Sequence, residues 1–253
     1  MSEQKTGVVG LLKKVRFYHL SPSGLVRIMC HLLSGYRLCK KHAARFRDYV
    51  PASINSMTTA WNLSCASLSP MRTIIDAGAN CSQMTKLLQI IYPNPKVLSF
   101  EPNPACHPIG DVHSLALSDV NGESTLYVAK DDYGSSVDVP RPDCVSEIKV
   151  QTRRFDSMGI DINSLPKPIL LKIDVEGYEL KVLKGFGEML RSVDALLVEV
   201  PNDRDDSKPY DPVELYAYLK EFGFNNSKAL FSWFNGAQPP EYMDVVFTRQ
   251  AAK

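Results

Sequence analysis

Residues 75–88 have the sequence IDAGANCSQMTKLL, which is typical of a β-strand that ends in a tight turn and continues as an α-helix. Gly78 lies between Ala77 and Ala79, so the side chains of this turn are very small. Asp76 precedes the turn and Asn80 follows it. This mixture of small and polar residues predicts a nucleotide-type pocket with one selective acid.

The length and composition of the chain fit one large α/β domain with a short appendage. The chain has 253 residues, of which 44% are hydrophobic, and this is enough for a substantial core. The six cysteines show no CxxC pair and no zinc-type spacing with histidine, so we interpret them as reduced thiols of a cytoplasmic protein. We expect no signal peptide and no membrane span, because Arg27 and His31 interrupt the longest early apolar stretch.

Charge divides the chain into a basic beginning and an acidic remainder. The first fifty residues contain ten Lys and Arg against two acids, whereas the rest contains nineteen against twenty-six. We therefore predict a basic helical N-terminal extension at residues 1–60 and an α/β domain at residues 61–253. The extension would pack on the domain, recruit an acidic substrate or make peripheral contact with an anionic membrane, and we expect no nucleic-acid partner. Its predicted apolar helical face consists of Leu25, Ile28, Met29, Leu32 and Tyr36.

Apolar, β-rich segments alternate with helical or irregular segments from about residue 70 onward. Five of them predict parallel strands joined by crossovers, namely residues 73–78, 96–102, 112–118, 169–175 and 195–200. Two further segments predict a hairpin or sheet extension, at residues 124–129 and 147–155. The last two predict an antiparallel pair, at residues 228–234 and 244–249. The predicted layout is a sheet of seven core strands with an antiparallel last pair.

Acidic residues lie at or just after the ends of the predicted parallel strands. In open sheets of this kind, ligands bind beyond the carboxyl ends of the strands. Chance seldom aligns so many carboxylates, because surface acids should also scatter over helices and loops. This edge is therefore the candidate site. Its acids are Asp76, Glu101, Asp119, Asp174, Glu176 and Glu199.

Two classes of cofactor compete for such a site. A nicotinamide or flavin dinucleotide would require G-x-G-x-x-G, but Asn80 occupies the second glycine position and the last glycine is absent. Asp76 would repel a pyrophosphate and would attract the cationic amino-acid part of S-adenosylmethionine. Glu101 suits either cofactor, because both have ribose hydroxyls. The first turn thus favours the methyl donor.

Several motifs together resemble the FkbM-type S-adenosylmethionine-dependent methyltransferases. The resemblance covers roughly residues 70–200, and its most specific part is LLKIDVEGYELKVLKG at residues 170–185. It implies the seven-stranded class I methyltransferase fold, which is Rossmann-like with helices flanking the sheet. It also implies methylation mostly of hydroxyl oxygens on sugars, glycans and secondary metabolites. The other motifs are DAGAN (76–80), SFEPNP (99–104), ALSDVNGESTLYV (116–128), GSS (134–136) and LLVEVP (196–201).

The resemblance also implies the residues that bind the cofactor. Asp76, Gly78 and Asn80 would line its methionine portion, and Glu101 would bind the ribose diol. Ser118 and Asp119 would face the adenine. One departure concerns Ser82, which stands where the family usually has a second glycine of the first turn. A serine adopts positive φ less readily than a glycine, so the loop is expected to be tighter or rearranged.

Methyl transfer to an alcohol needs an aligned acceptor and assistance in removing its proton. Asp174 and Glu176 are two residues apart at the end of a predicted strand, and Glu199 could approach them from the next strand. These three acids could bind Mg²⁺ or Ca²⁺. In the alternative that we favour, no metal binds, Asp174 is the base and Glu176 caps the following helix.

The predicted function is O-methylation of a hydroxyl on a sugar, glycan, glycolipid or secondary metabolite. Two alternatives remain open at the level of sequence. One is an NAD-dependent oxidoreductase of the Rossmann type. The other is a noncatalytic binding protein that retains the methyltransferase fold, which would be favoured if Ser82 blocked the cofactor pocket.

Overall fold

The computed structural model describes most of the chain beyond residue 67 and a few residues before it, all within the unit Ala52–Lys253. Apart from Ser56, Thr59 and Ala60, the predicted basic extension at residues 1–60 lies outside the described residues, as do its amphipathic helix and its membrane contact. The described residues are 56, 59–60, 62–63, 66, 68–92, 94–130, 134–138, 140, 143–201, 210–233 and 242–249.

The described part of the chain alternates between strands and helices. Its strands are β1 (Thr73–Ala77), β2 (Lys96–Phe100), β3 (Asp111–His113), β4 (Ala116–Leu117), β5 (Gly122–Ala129), β6 (Ser136–Val137), β7 (Cys144–Arg153), β8 (Ile169–Ile173), β9 (Ala195–Pro201), β10 (Asn226–Trp233) and β11 (Tyr242–Thr248). Its α-helices are α1 (Gln83–Ile91), α2 (Glu179–Phe186) and α3 (Pro212–Glu221), and short 3₁₀ helices lie at Phe155–Ser157, Ile162–Ser164 and Gly187–Ser192. No described helix is long and apolar enough to cross a membrane.

The main sheet has seven strands in the order β3-β2-β1-β8-β9-β11-β10. The first five are parallel, and β11 is antiparallel to both of its neighbours, β9 and β10. Every residue of β1 and β8 is buried, because these central strands are covered on both faces. The predicted sheet of seven strands with an antiparallel last pair is confirmed.

A second sheet of four strands has the order β4-β7-β5-β6. The predicted hairpin is confirmed, since β5 and β7 form a long antiparallel pair. The prediction of one strand at residues 112–118 is wrong: β3 pairs with β2 at the edge of the main sheet, whereas β4 pairs with β7 in the second sheet. The chain bends between these strands, where the Leu115 amide donates to the His113 carbonyl at 2.9 Å.

The core lies on both sides of the main sheet. On one side, Phe155 stacks on Phe186 of α2 with ring centroids 4.1 Å apart, and its edge meets Phe100. On the other side, Leu88 of α1 is fully buried together with Leu63 and Leu170. Since α1 and α2 each start next to the carboxyl end of a parallel strand, this packing fixes the turns that form the candidate site.

Gly185 lets α2 approach the loop after β4 more closely than any side chain would permit. A Cβ atom built on Gly185 would lie 1.9 Å from the carbonyl oxygen of Ser118. We therefore expect Gly185→Ala to lower the free energy of unfolding by about 1–3 kcal/mol, although alanine is the better helix former. Chemical denaturation measures this change. The control is Gly122→Ala, where the nearest atom to the added Cβ is 3.9 Å away; equal stability of both variants would contradict the close approach.

Candidate active site

The turn after β1 is closed by two hydrogen bonds and by a close backbone contact. The amides of Gly78 and Ala79 both donate to the Phe100 carbonyl of β2, at 3.0 and 3.1 Å. Gly78 has φ +76°, and a Cβ on it would lie 1.8 Å from the carbonyl oxygen of Asp174. Only glycine satisfies both conditions. The turn therefore lies directly against the chain that leaves β8.

Asn80 and Ser82 continue the turn with left-handed backbone, at φ 47° and 61°. The Ser82 side chain is buried, and its hydroxyl accepts a hydrogen bond of 2.9 Å from the Ile109 amide. This bond fixes the hydroxyl on the loop before β3, and Ser82 is not among the described residues that line the cavity beside the turn. Ser82 thus adopts the positive φ expected of glycine and does not block that cavity.

Glu101 is held at the end of β2 by two backbone amides. The Asn80 amide donates to Oε2 and the Asn103 amide donates to Oε1, both at 2.8 Å. Burial raises the pKa of Glu101 above its usual value, although these two hydrogen bonds and the Lys172 charge act in the opposite direction. Glu101 lines the cavity, and each of its oxygens retains a lone pair for a hydroxyl donor.

The structure brings together five of the eight predicted site residues. These five line one cavity between the main sheet and the second sheet: Gly78, Asn80, Glu101, Asp174 and Glu176. The three that do not line it are Asp76, Ser118 and Asp119. On the side of the second sheet, Leu126 and Val137 supply apolar wall.

Asp76 lies beneath the cavity wall rather than in it. Its carboxylate is fully buried, accepts a hydrogen bond from the Thr85 hydroxyl and lies 2.9 Å from the Lys172 ammonium. Burial lowers the pKa of Lys172, but the charges of Asp76 and Asp174 offset this effect, and the net result is a raised pKa. Asp76 can therefore act on a ligand only through Lys172 and the turn, because its own carboxylate is already paired.

Ser118 contacts the wall of the cavity from behind, whereas Asp119 contacts Arg154, which does not line the cavity. The Ser118 hydroxyl is buried and lies 3.3 Å from the hydroxyl of Tyr178, which lines the cavity. The Asp119 carbonyl accepts a hydrogen bond of 2.8 Å from Arg154. The Tyr178 hydroxyl also donates to Asp138 at 3.1 Å. Tyr178 therefore links the start of α2 to the residues that follow β4 and β6 of the second sheet. These contacts give Ser118 a supporting position behind Tyr178.

The predicted acidic cluster is present at the ends of β8 and β9. Asp174, Glu176 and Glu199 each offer a carboxylate oxygen, and these oxygens lie within 4.8 Å of one another. Burial, followed by the charges of Asp174 and Glu176, raises the pKa of Glu199 well above its usual value. The oxygen ligands of the cluster suit a hard cation such as Mg²⁺ or Ca²⁺. Repulsion between its like charges favours the binding of a proton.

Glu179 holds the loop that carries the cluster. Its Oε1 accepts hydrogen bonds from the amides of Val175 and Gly177, at 3.2 and 3.0 Å. Glu179 therefore satisfies the amides before α2, which is the role that the sequence suggested for Glu176. Burial raises the pKa of Glu179 to about 7, against the smaller lowering effect of these amides.

Sequence reasoning missed three residues of this site: Asn103, Tyr178 and Glu179. Asn103 lines the cavity and is only 5% exposed. Its Oδ1 accepts a hydrogen bond from the Ala105 amide, whereas its Nδ2 is a buried donor without a hydrogen-bond partner. All three belong to the motifs FEPNP and DVEGYE, whose polar residues carried the only available signal.

The comparisons with known proteins identify the class of the domain. Residues 76–225 match the family model described as methyltransferase FkbM domain, so the chain belongs to the FkbM methyltransferase family. Methyltransferase 1 of Beauveria bassiana is 30% identical, and the match covers 53% of this chain and 66% of that protein. Hexuronic acid methyltransferase AglP of Haloferax volcanii is 46% identical over 24% of each chain. This chain thus spans less than two thirds of either relative.

Solved structures of other methyltransferases are also similar to this chain. One of them is methyltransferase FkbM from Methylobacillus flagellatus, with a TM-score of 0.47 and 14% identity over 71% of this chain and 44% of that one. Family membership makes S-adenosylmethionine the cofactor and leaves the NAD-dependent alternative without support.

The residues of the cavity fit this cofactor. Gly78 adds no side chain to the turn that borders the cavity, and the Glu101 carboxylate can accept from ribose hydroxyls. Asn103 supplies a buried donor that lacks a partner. Glu176 lines the cavity and presents negative charge to a sulfonium and an ammonium, which are both cationic.

The raised pKa of Glu179 predicts a pH-dependent stability. The unfolded chain loses the Glu179 proton near the ordinary pKa of 4.5, whereas the folded chain retains it up to about 7. The contribution of Glu179 to the free energy of unfolding should therefore be fully present below the lower value and should be lost as the pH rises through the higher one. Glu179→Gln should remove roughly 2 kcal/mol of this decrease, because glutamine keeps the acceptor oxygen without the charge.

Urea denaturation between about pH 5 and about pH 8 measures this effect. The exposed Glu123 provides the matched control, since Glu123→Gln should leave the pH dependence as in the wild type. Identical curves for all three proteins would contradict the protonation of Glu179 in the folded state.

Proposed function

We propose that this domain is an S-adenosylmethionine-dependent O-methyltransferase in which Asp174 accepts the proton of the acceptor hydroxyl. One observation carries the proposal. The Asp174 carboxylate is 43% exposed and lines the same cavity as Gly78, Asn80 and Glu101. A base must be reachable from solvent by the acceptor and must adjoin the cofactor, and Asp174 meets both conditions.

The cofactor, when bound, supplies a methyl group activated by a positively charged sulfur. Gly78 and Asn80 would contact its methionine part, and Glu101 would accept from its ribose. Asp76 would contribute through its ion pair with Lys172. Ser118 would support Tyr178 at the cavity wall, and the Asp119 carbonyl would hold Arg154 by a hydrogen bond. These assignments follow the positions of the residues relative to the cavity.

The acceptor is proposed to be a hydroxyl of a sugar, glycan, glycolipid or secondary metabolite. As the acceptor oxygen forms its bond to the methyl carbon, the bond from that carbon to the sulfonium sulfur would break, with its electron pair going to sulfur and S-adenosylhomocysteine as the leaving group. The acceptor's proton would move to an Oδ atom of Asp174. Glu176 and Glu199 each bring a carboxylate oxygen within 4.8 Å of one from Asp174, so the proposed base lies at the edge of the acidic cluster. The similarity to a hexuronic acid methyltransferase supports a sugar acceptor, although it covers only 24% of this chain.

The test measures methyl transfer from radiolabelled S-adenosylmethionine to a panel of methyl hexosides, uronic acids and phenols. We expect Asp174→Asn to lower turnover on the methylated acceptor by roughly 10²-fold, because asparagine cannot take the proton. The affinity for S-adenosylhomocysteine, measured by calorimetry, should change by less than about threefold. Ser157→Ala, which alters an exposed serine outside the cavity lining, is the control.

The same assay distinguishes a base from a metal site. A metal-free mechanism predicts that EDTA leaves transfer intact and that added Mg²⁺ does not stimulate it. Activity that disappears in EDTA and returns with Mg²⁺ would instead make Asp174, Glu176 and Glu199 ligands. Tight binding of S-adenosylhomocysteine without transfer to any acceptor of the panel would favour the noncatalytic alternative.

A further inference from the structure

Lys172 of β8 lies between the Gly78 turn after β1 and the acidic cluster of Asp174, Glu176 and Glu199, and it contacts both. Its ammonium lies 2.9 Å from Asp76 Oδ1 and donates a hydrogen bond of 2.9 Å to the Gly78 carbonyl. It also lies 3.4 Å from Asp174 Oδ2. The ammonium thus has one hydrogen bond to a carbonyl and ion pairs with two carboxylates. The Lys172 side chain is only 5% exposed.

We propose that Lys172 is a positioning residue for methyl transfer, which holds the Asp174 carboxylate against the cavity wall beside the Gly78 turn. This inference rests on the proposed function, in which Asp174 is the base. Lys172 would not touch the acceptor itself. It would act by restricting where the Asp174 carboxylate can lie.

The two ion pairs of Lys172 have different consequences. Asp76 is fully buried and needs a counter-charge for the chain to fold, because an unpaired buried charge is strongly destabilising. Asp174 is 43% exposed, so water can solvate it without Lys172, and its ion pair adds little to stability. The stability of the folded chain therefore does not explain why Lys172 contacts Asp174.

Repulsion within the acidic cluster gives this contact a function. Glu176 and Glu199 each bring a carboxylate oxygen within 4.8 Å of one from Asp174, and like charges at this distance repel. Without a cation, the Asp174 side chain, which is 43% exposed, would rotate away from the other two acids toward solvent. The Lys172 ammonium opposes this rotation from the buried side and keeps the carboxylate next to the turn.

Because Lys172→Met alone leaves Asp76 unpaired and destabilises the chain, the informative variant is the double substitution Asp76→Asn with Lys172→Met. It should be compared with Asp76→Asn alone, in which Lys172 still contacts Asp174. We expect both proteins to fold and to bind S-adenosylhomocysteine within about threefold of each other. Turnover should be at least about tenfold lower in the double variant, because Asp174 is no longer held. Equal turnover would overturn the inference and leave Lys172 as the counter-charge of Asp76.

A third substitution, Asp174→Asn, shows whether Lys172 acts through Asp174. In the presence of Asp174→Asn and Asp76→Asn, adding Lys172→Met should cost no further turnover, since the residue that it positions is already disabled. A further tenfold loss would overturn the inference. If Asp174→Asn alone leaves turnover unchanged, the proposed base itself fails and the inference fails with it, which is a different result from equal turnover in the first comparison.

Discussion

The close approach of Gly78 to the Asp174 backbone is the constraint on which the site depends. A Cβ at residue 78 would lie 1.8 Å from the Asp174 carbonyl oxygen, so β1 and β8 can end together only if this residue is glycine. The Asp174 amide donates to the Ala77 carbonyl at 3.1 Å and continues the pairing of the two strands to their ends. The cofactor turn and the proposed base are consequently parts of one rigid edge.

Backbone strain is concentrated at this edge. Asn80, Ser82 and Glu176 have positive φ although none of them is glycine, and a conformation of this kind costs on the order of 1 kcal/mol or more. At Ser82 the hydrogen bond from Ile109 offsets the cost. The strained residues lie in the turn after β1 and in the loop after β8. Both loops border the cavity, and both are held by carboxylates, those of the half-buried Glu101 and the buried Glu179.

The sequence predicted the parts of the fold that follow from local pattern. Alternation of apolar segments was sufficient for the parallel strands, and the acids at their ends marked the edge to which Glu101 and Asp174 belong. The sequence pattern could not predict where the Asp76 side chain lies. Its direction depends on the ion pair with Lys172, a partner 96 positions away in the chain. The split between β3 and β4 was also missed, since pairing with β7 is decided by tertiary contacts and not by β-propensity. The motifs that contain Tyr178 and Asn103 marked this edge of the sheet, but they did not show which of their residues line the cavity.

The central claim is that the Gly78 turn forms the cofactor site, and calorimetric titration with S-adenosylhomocysteine tests it most directly. In Gly78→Ala the added methyl group must displace the Asp174 backbone, so we predict at least about a tenfold loss of affinity in a chain that still gives the circular dichroism of the wild type. Gly122→Ala, where the nearest atom to the added Cβ is 3.9 Å away, should bind as the wild type does. A folded Gly78→Ala protein with wild-type affinity would contradict the account.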